Sequence, residues 1–441
     1  MTDPRSEIAA AIVPAHPLGD VNAPIVLHEG QVDGYRDGSV EGRFELSCAR
    51  GLDLAWSVND DEGPWRRRGL EDLELVVTRP EGCIRLAAHR QRADAGWFDP
   101  VMVGSSVTEL DRVVVTWFNL SQIRSPEVIR SLDGRSVFTG RWTAEIAGWA
   151  MIVDRRHDHA EVWRQAREDG GIVATHVMEI RRLDGDTFTP DDVEPFLDAL
   201  HVGLSFALGR WVAPAVPVGF DRSGRRVWEQ WGNRQCARGG GGVPRWWFDQ
   251  HVDDLADLLT CAAHMFAAPE SAFSTRFLMS SAVQSAATGF VEQRIMTAAA
   301  AIEHLTWVRL RLTEVLSGSE YDGLRAHGRL RRLLDDANIP TTIDAELLPA
   351  VHRFTAAEQE PVRDAPEAAT RVRNKIVHPK SLPEGLYRHD GLVRETWFLT
   401  HQYLVLLTLH HIGFSGSFQQ MLRPGGRSGV VQPVPWTGED G

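Results

Sequence analysis

Cysteine is scarce in this 441-residue sequence, and the four present, Cys48, Cys83, Cys236 and Cys261, form no CxxC pair. That excludes a disulfide-stapled scaffold and fits a reducing compartment. No basic, apolar, small-residue leader precedes Asp20, so a cytoplasmic location is expected. Long apolar runs are missing as well. The most apolar late stretch, residues 397–414, is broken by His401, Gln402, His410 and His411 and falls short of the roughly 20 residues a membrane helix needs. Positive charge is in deficit, with 47 basic against 60 acidic side chains and a net charge of -13. A surface-wide grip on nucleic acid is thereby excluded, and any nucleic-acid site must be local. Lysine is almost absent: Lys375 and Lys380 are the two in the chain, against 45 arginines. What remains is ordinary, with 43% hydrophobic and 24% charged residues, as in soluble globular chains of roughly two to three domains.

Two hydrophobic periods divide the chain. Up to about Leu183, Phe44, Leu46 and Cys48 alternate with polar neighbours, as do Leu73, Leu75 and Val77, which is the period of half-buried strands. Residues 113–118 and 149–153 add β-branched and aromatic runs between Gly-containing turns, so an antiparallel β-rich domain is expected over 1–185. At Thr189-Pro190-Asp191-Asp192 a helix start appears, with a capping hydroxyl, a first-turn proline and two acids. A mixed linking region over 186–285 follows, with strands at 211–220 and 225–231 around the turn Asp221-Arg222-Ser223-Gly224. From Val252 onward the spacing is helical, and short connections imply an antiparallel bundle over 286–420. Its Ala-rich helix, carrying Ile295, Ala298, Ile302 and Leu305, is expected to end near Gly318. Residues 421–441 read as a flexible tail. The expected class is α+β and multidomain.

Several groups of chemistry-bearing residues read more simply as architecture. The run Gly239 to Gly242 lacks the Lys-Ser or Lys-Thr of a phosphate loop and is followed by Val243-Pro244, so a loop is expected. Trp228, Trp231, Trp246 and Trp247 beside strands read as packing residues rather than base-stacking ones. His157-Asp158-His159 with Glu161, and His401 with His410-His411, lack the spacing of a zinc helix.

One motif carries chemistry. Asp364, Pro366 and Glu367 open a helix whose apolar side holds Ala369, Val372 and Ile376. It runs into Arg373-Asn374-Lys375-Ile376-Val377-His378-Pro379-Lys380. A residue before proline is pushed out of the helical region, so the helix should end near Val377 and present His378 at its margin. Arg373, one turn earlier, supplies a permanent planar cation for phosphate oxygens, and His378 can exchange protons near neutral pH. These are the minimal parts for RNA cleavage by the ribose 2′-hydroxyl, with His378 as acid or base and Arg373 stabilising the charge on the nonbridging oxygens. Lys375 and Lys380 flank the site as candidate phosphate contacts.

An Arg followed by a polar residue, then a His five positions after the Arg, on a late bundle helix, resembles the HEPN superfamily, most of all its ApeA-like members. The resemblance rests on Arg373, Asn374 and His378, with support from Ala301-Ile302-Glu303-His304-Leu305 and from Gly328 to Leu334, and covers about 286–420. It implies a metal-independent endoribonuclease that leaves a 2′,3′-cyclic phosphate, with no cofactor. It also implies a homodimer whose two Arg and His sets share a cleft, and a toxin-type or antiphage defence role. Family members often place a polar side chain on the facing helix, which makes Glu303 a supporting candidate. Lys380 stands where the toxin branch regulated by a partner nucleotidyltransferase carries Tyr, so no such partner is expected. RNA is the expected partner, and the β-rich half is expected to bind a phage or cellular trigger. The rival reading is a noncatalytic nucleotide-binding or dimerising scaffold, because fold does not fix function.

Overall fold

The computed structural model describes residues 8–36, 38–59, 72–79, 82–92, 94–240, 244–378, 384–422 and 430–438. The chain divides into two units, one of residues 1–197 and 212–241, the other of residues 198–211 and 242–441.

The first unit holds a barrel and a sheet. Strands β1 (Ile25–Arg36), β2 (Gly38–Ser47), β3 (Asp53–Val58), β4 (Asp72–Arg79), β5 (Gly82–Arg92) and β6 (Ala95–Phe98) close in the order β1-β2-β3-β6-β5-β4. Closure pairs every strand on both sides and leaves no open edge. The alternation expected on β2 and β4 is the barrel's inside and outside: Phe44, Leu46, Leu75 and Val77 are buried.

The sheet has eight strands: β7 (Val101–Val103), β8 (Arg112–Phe118), β9 (Glu127–Arg130), β10 (Val137–Ile146), β11 (Trp149–Arg155), β12 (Ala174–Arg182), β13 (Ala213–Phe220) and β14 (Arg226–Trp231). Their order is β7-β14-β13-β8-β12-β11-β10-β9. Central strand β8 is buried continuously from Val113 to Phe118, as expected where both faces are covered. Barrel and sheet share a core in which Trp231 lies 6.5 Å from the Phe44 ring and 6.2 Å from that of Phe98. Asp221 organises the β13–β14 turn by accepting from the Ser223 and Arg225 amides at 2.9 and 3.0 Å.

Two elements of this half differ from expectation. Helix α1 (His159–Asp169) interrupts the strands and stops at Gly170, whose φ of 61° suits glycine. The expected linking region is not a separate piece: β13 and β14 belong to the sheet, while helices α3 (Val252–Ala267) and α4 (Pro269–Ala286) belong to the other unit. Helix α2 (Pro190–Leu208) contributes to both units, passing from one to the other at Asp198.

The second unit is helical. After α3 and α4 come α5 (Val291–Thr306), a π-helical turn (Trp307–Leu312), α6 (Gly318–Gly323), α7 (Ala326–Asp336), α8 (Pro349–Ala357), α9 (Ala365–Val377), α10 (Glu384–Tyr387) and α11 (Leu392–His411). Helix α11 is buried almost throughout and packs on α4, α5, α8 and α9. Trp246 is buried between Phe206 and Phe414, at 5.4 and 5.5 Å, so it serves packing, as do Trp228, Trp231 and Trp247, all at most 2% exposed. The Ala-rich helix is α-helical to Thr306 and continues as the π-helical turn to Leu312, short of Gly318. Residues 430–438 are not a free tail: strand β16 (Val431–Pro433) pairs with β15 (Ser417–Gln419), and the Trp436 indole donates to the Phe414 carbonyl at 2.7 Å. No helix among the described residues is long and apolar enough to cross a membrane.

Candidate active site on helix α9

Helix α9 is fixed at its start by two charged contacts. The Asp364 carboxylate caps the helix by accepting from the Glu367 amide at 3.0 Å and also accepts from Arg331 Nη2 of α7 at 3.0 Å. Pro366 sits in the first turn, where its missing N–H costs nothing. Glu367 then binds Arg371 at 2.8 Å, one turn on. Ala365, Ala368, Ala369 and Val372 form the buried face. These small side chains let α9 approach its neighbours closely, and its packing partners include α5, α7 and α11.

The helix ends at Val377, with His378 as its C-cap outside the helical region (φ -126°, ψ 66°), in keeping with the bias that a following proline imposes against the α conformation. The His378 amide donates to the Asn374 carbonyl at 2.8 Å, and its side chain is exposed. Arg373 lies five residues back, about 7.5 Å along the axis. It is more enclosed than a helix-surface arginine, at 23% side-chain exposure, because it turns towards α5, where Nη2 lies 3.1 Å from Glu303 Oε1. Its Nη1 donates to Asn374 Oδ1 at 3.0 Å. Asn374 therefore orients the guanidinium directly. Arg373 Nε is buried without a hydrogen-bond partner among the described residues.

Arg373 and Glu303 line a cavity of about 40 Å³ with Ile302, Thr306, Arg329 and Thr370. That is room for about three waters and not for a nucleotide, so a substrate would engage the site from outside. Sequence reading did not single out Arg329 or the threonines. Arg329 is one of three arginines in the Leu-rich α7 sequence, and only the packing of α7 on α5 and α9 shows which of them faces the cavity. Lys375 turns away from it: Nζ lies 2.9 Å from Glu358 Oε1 and 5.3 Å from the Phe354 ring. Pro379 and Lys380 lie outside the described residues.

The other candidates have internal partners. Asp158 is held by Arg156 at 2.6 and 2.8 Å. His159 is buried 5.1 Å from His176, and burial pushes its pKa down to about 4. Burial, with Arg294 nearby, pushes His401 down to about 3. Gly239 meets α1 so closely that a Cβ there would lie 2.2 Å from the Ala166 carbonyl oxygen, which gives at least one glycine of that run a steric reason. Gly241 and Gly242 lie outside the described residues. Among the described residues no three His, Cys, Asp or Glu side chains come together as a metal-holding group.

Two family models match the chain: the YopA central domain over residues 105–240 and the YopA C-terminal domain over residues 278–431. The second contains α5, α7, α9 and α11. A relative from Bacillus subtilis (strain 168), the "SPbeta prophage-derived uncharacterized protein YopA", is 26% identical over 343 residues, covering 76% of this chain and 74% of the relative. No solved structure matches.

Proposed function

We propose that the chain is an endoribonuclease of the HEPN type, similar to the ApeA-like members, with its catalytic set on α9. The observation that carries this reading is the pairing of Arg373 with Glu303 across the α9–α5 contact, with His378 exposed at the end of the same helix. An RNA phosphate entering at Arg373 competes with a carboxylate that is itself about half exposed (49%), so little stability opposes the exchange. The ribose 2′-hydroxyl attacks the adjacent phosphorus, the bond to the 5′-oxygen breaks, and a 2′,3′-cyclic phosphate and a 5′-hydroxyl end result. His378 moves the proton, taking it from the 2′-hydroxyl or giving it to the leaving oxygen. Arg373, oriented by Asn374, stabilises the charge on the nonbridging oxygens. These side chains perform every step without a metal ion or cofactor. One chain supplies one Arg and His set, and a homodimer would supply acid and base together.

The biological role that fits is a toxin-type or antiphage effector acting in the cytoplasm. The prophage origin in the relative's name suits competition between phages. The barrel and sheet, acidic in sequence and without a catalytic set among the described residues, would hold the site idle until a phage or cellular trigger binds. The test is cleavage of end-labelled RNA with EDTA present, comparing wild type with His378→Ala. Cyclic-phosphate products from wild type alone are expected. Equal cleavage by both proteins removes His378 from the chemistry. RNA binding with no cleavage by either would favour the noncatalytic scaffold.

A further inference from the structure

We propose that Trp307 is a stacking platform for a base of single-stranded RNA whose phosphate lies at Arg373; the inference rests on the ribonuclease reading above. Trp307 follows Glu303 by four residues and opens the π-helical turn that continues α5, about 6 Å along the axis beyond the Arg373 ion pair. An indole is costly to leave in water, yet this one is 46% exposed. The turn spans residues 307–312, and such turns are frequent at functional sites because they re-aim side chains that a regular helix would direct elsewhere.

The surroundings favour a nucleic acid. Arg311 is exposed in the same turn and has no ion pair among the described residues, whereas Arg309 lies near His410 and His411 of α11 and Arg329, at the cavity beside Glu303, is stacked over the Tyr321 ring at 4.5 Å. The carboxylates nearest in sequence are Glu303, which holds Arg373, and Glu314. An exposed ring face with the Arg311 guanidinium in the same turn and Arg373 at the preceding one is a combination that binds single strands, through stacking on the ring and charge on the phosphates. An apolar protein surface would instead bury arginines without supplying carboxylates, which is unfavourable. A strand supplies a phosphate for each.

The experiment uses the full chain carrying His378→Ala, so that RNA is bound without turnover, and a fluorescein-labelled oligouridylate 10-mer read by anisotropy. Adding Trp307→Ala should weaken binding about tenfold, while Trp307→Phe keeps most of the affinity and Val315→Ala, at another exposed apolar position, changes nothing. With active protein, Trp307→Ala should raise KM and leave kcat alone. Unchanged affinity in Trp307→Ala, beside intact cleavage by wild type, overturns the platform and leaves the ribonuclease reading standing. Loss of affinity together with a lower mass by light scattering overturns it in favour of a contact between copies. If the His378→Ala protein binds no RNA and wild type cuts none, the ribonuclease reading fails first and takes the platform with it.

Discussion

The two units use the same residue types in opposite ways. In the barrel-and-sheet unit the inward arginines are neutralised where they stand. Asp154, 3% exposed, takes Arg141 Nε and Nη2 at 2.8 and 2.7 Å, and Glu229 sits between Arg79 and Arg226 at 2.8 and 2.6 Å. Its buried histidines have low pKa values, His16 and His159 about 4, chiefly because burial disfavours their charged form. In the helical unit Arg331 and Asp364 play the same architectural part, but Arg373 faces a half-exposed carboxylate and His378 faces solvent. What separates the architectural arginines from the proposed catalytic one is therefore the partner's burial and not the residue type. A guanidinium held by a buried acid is committed to the fold, whereas one held by a wet acid remains available to a phosphate.

The largest effect should come from the available pair. Arg373→Ala and His378→Ala should each lower RNA cleavage about 10²- to 10⁴-fold and leave the circular-dichroism spectrum unchanged, since neither side chain belongs to the core. Unfolding of either variant would break the division between the units.

The committed pairs should behave in reverse. Asp154→Ala strands Arg141 and the Ile12 amide, which donates to Asp154 Oδ2 at 2.7 Å, and should cost about 3–5 kcal/mol in a urea titration. A loss under about 1 kcal/mol would show that this pair is no more committed than Arg373 and Glu303.

Acid should act next, on both units. His16 and His159 in the first and His401 in the second have folded pKa values of about 4, 4 and 3, below the ordinary 6.5. The unfolded chain binds protons that the folded chain refuses, so stability is complete above about pH 6.5 and falls as pH drops towards the folded values. By pH 4 each of the three withdraws about 3 kcal/mol. Denaturation midpoints measured from pH 7 to pH 4 should trace the decline, and His401→Leu should make it shallower. A flat profile over that range would falsify the assignment of these rings as buried neutral histidines.

How far the sequence revealed this depended on whether the cause was local. The strand period at Phe44-Leu46 and Leu75-Val77, the turn at Asp221 to Gly224, the start of α2 and the Asp364 cap are set within a few residues, and all were legible. The His378 terminus was legible too, because Pro379 biases the residue before it against the α conformation. Barrel closure depends on β1 pairing with β4 across more than 40 residues, and the division of 186–285 depends on β13 pairing with β8. Neither leaves a short-range mark. At the candidate site, Arg373 and His378 were singled out by their spacing together with the family resemblance it carries, whereas the place of Arg329 at the cavity depends on the packing of α7 beside α9. Helix α1 was missed because three polar side chains at its start, His157, Asp158 and His159, resemble ligands as readily as a helix end.

The smallest expected effect is at Lys375, which stands between the committed and the available cations. It stands beside Arg373 in sequence, and the scarcity of lysine elsewhere made it a candidate phosphate contact. In the folded chain its ammonium lies against Glu358, 20% exposed, which also faces Arg371 at 3.7 Å, and over the Phe354 ring. That resembles the committed pairs of the other unit, except that Lys375 is itself 46% exposed, so screening by water keeps the pair weak. Lys375→Ala should therefore cost under about 1 kcal/mol of stability and leave the salt dependence of RNA binding unchanged. If the slope of log affinity against log salt instead falls by about 0.7, the single-strand value for one phosphate contact, Lys375 leaves Glu358 when RNA arrives and belongs with Arg373. A titration over 50–300 mM NaCl with the His378→Ala chain as parent separates the two, because an ion pair within the protein adds nothing to that slope.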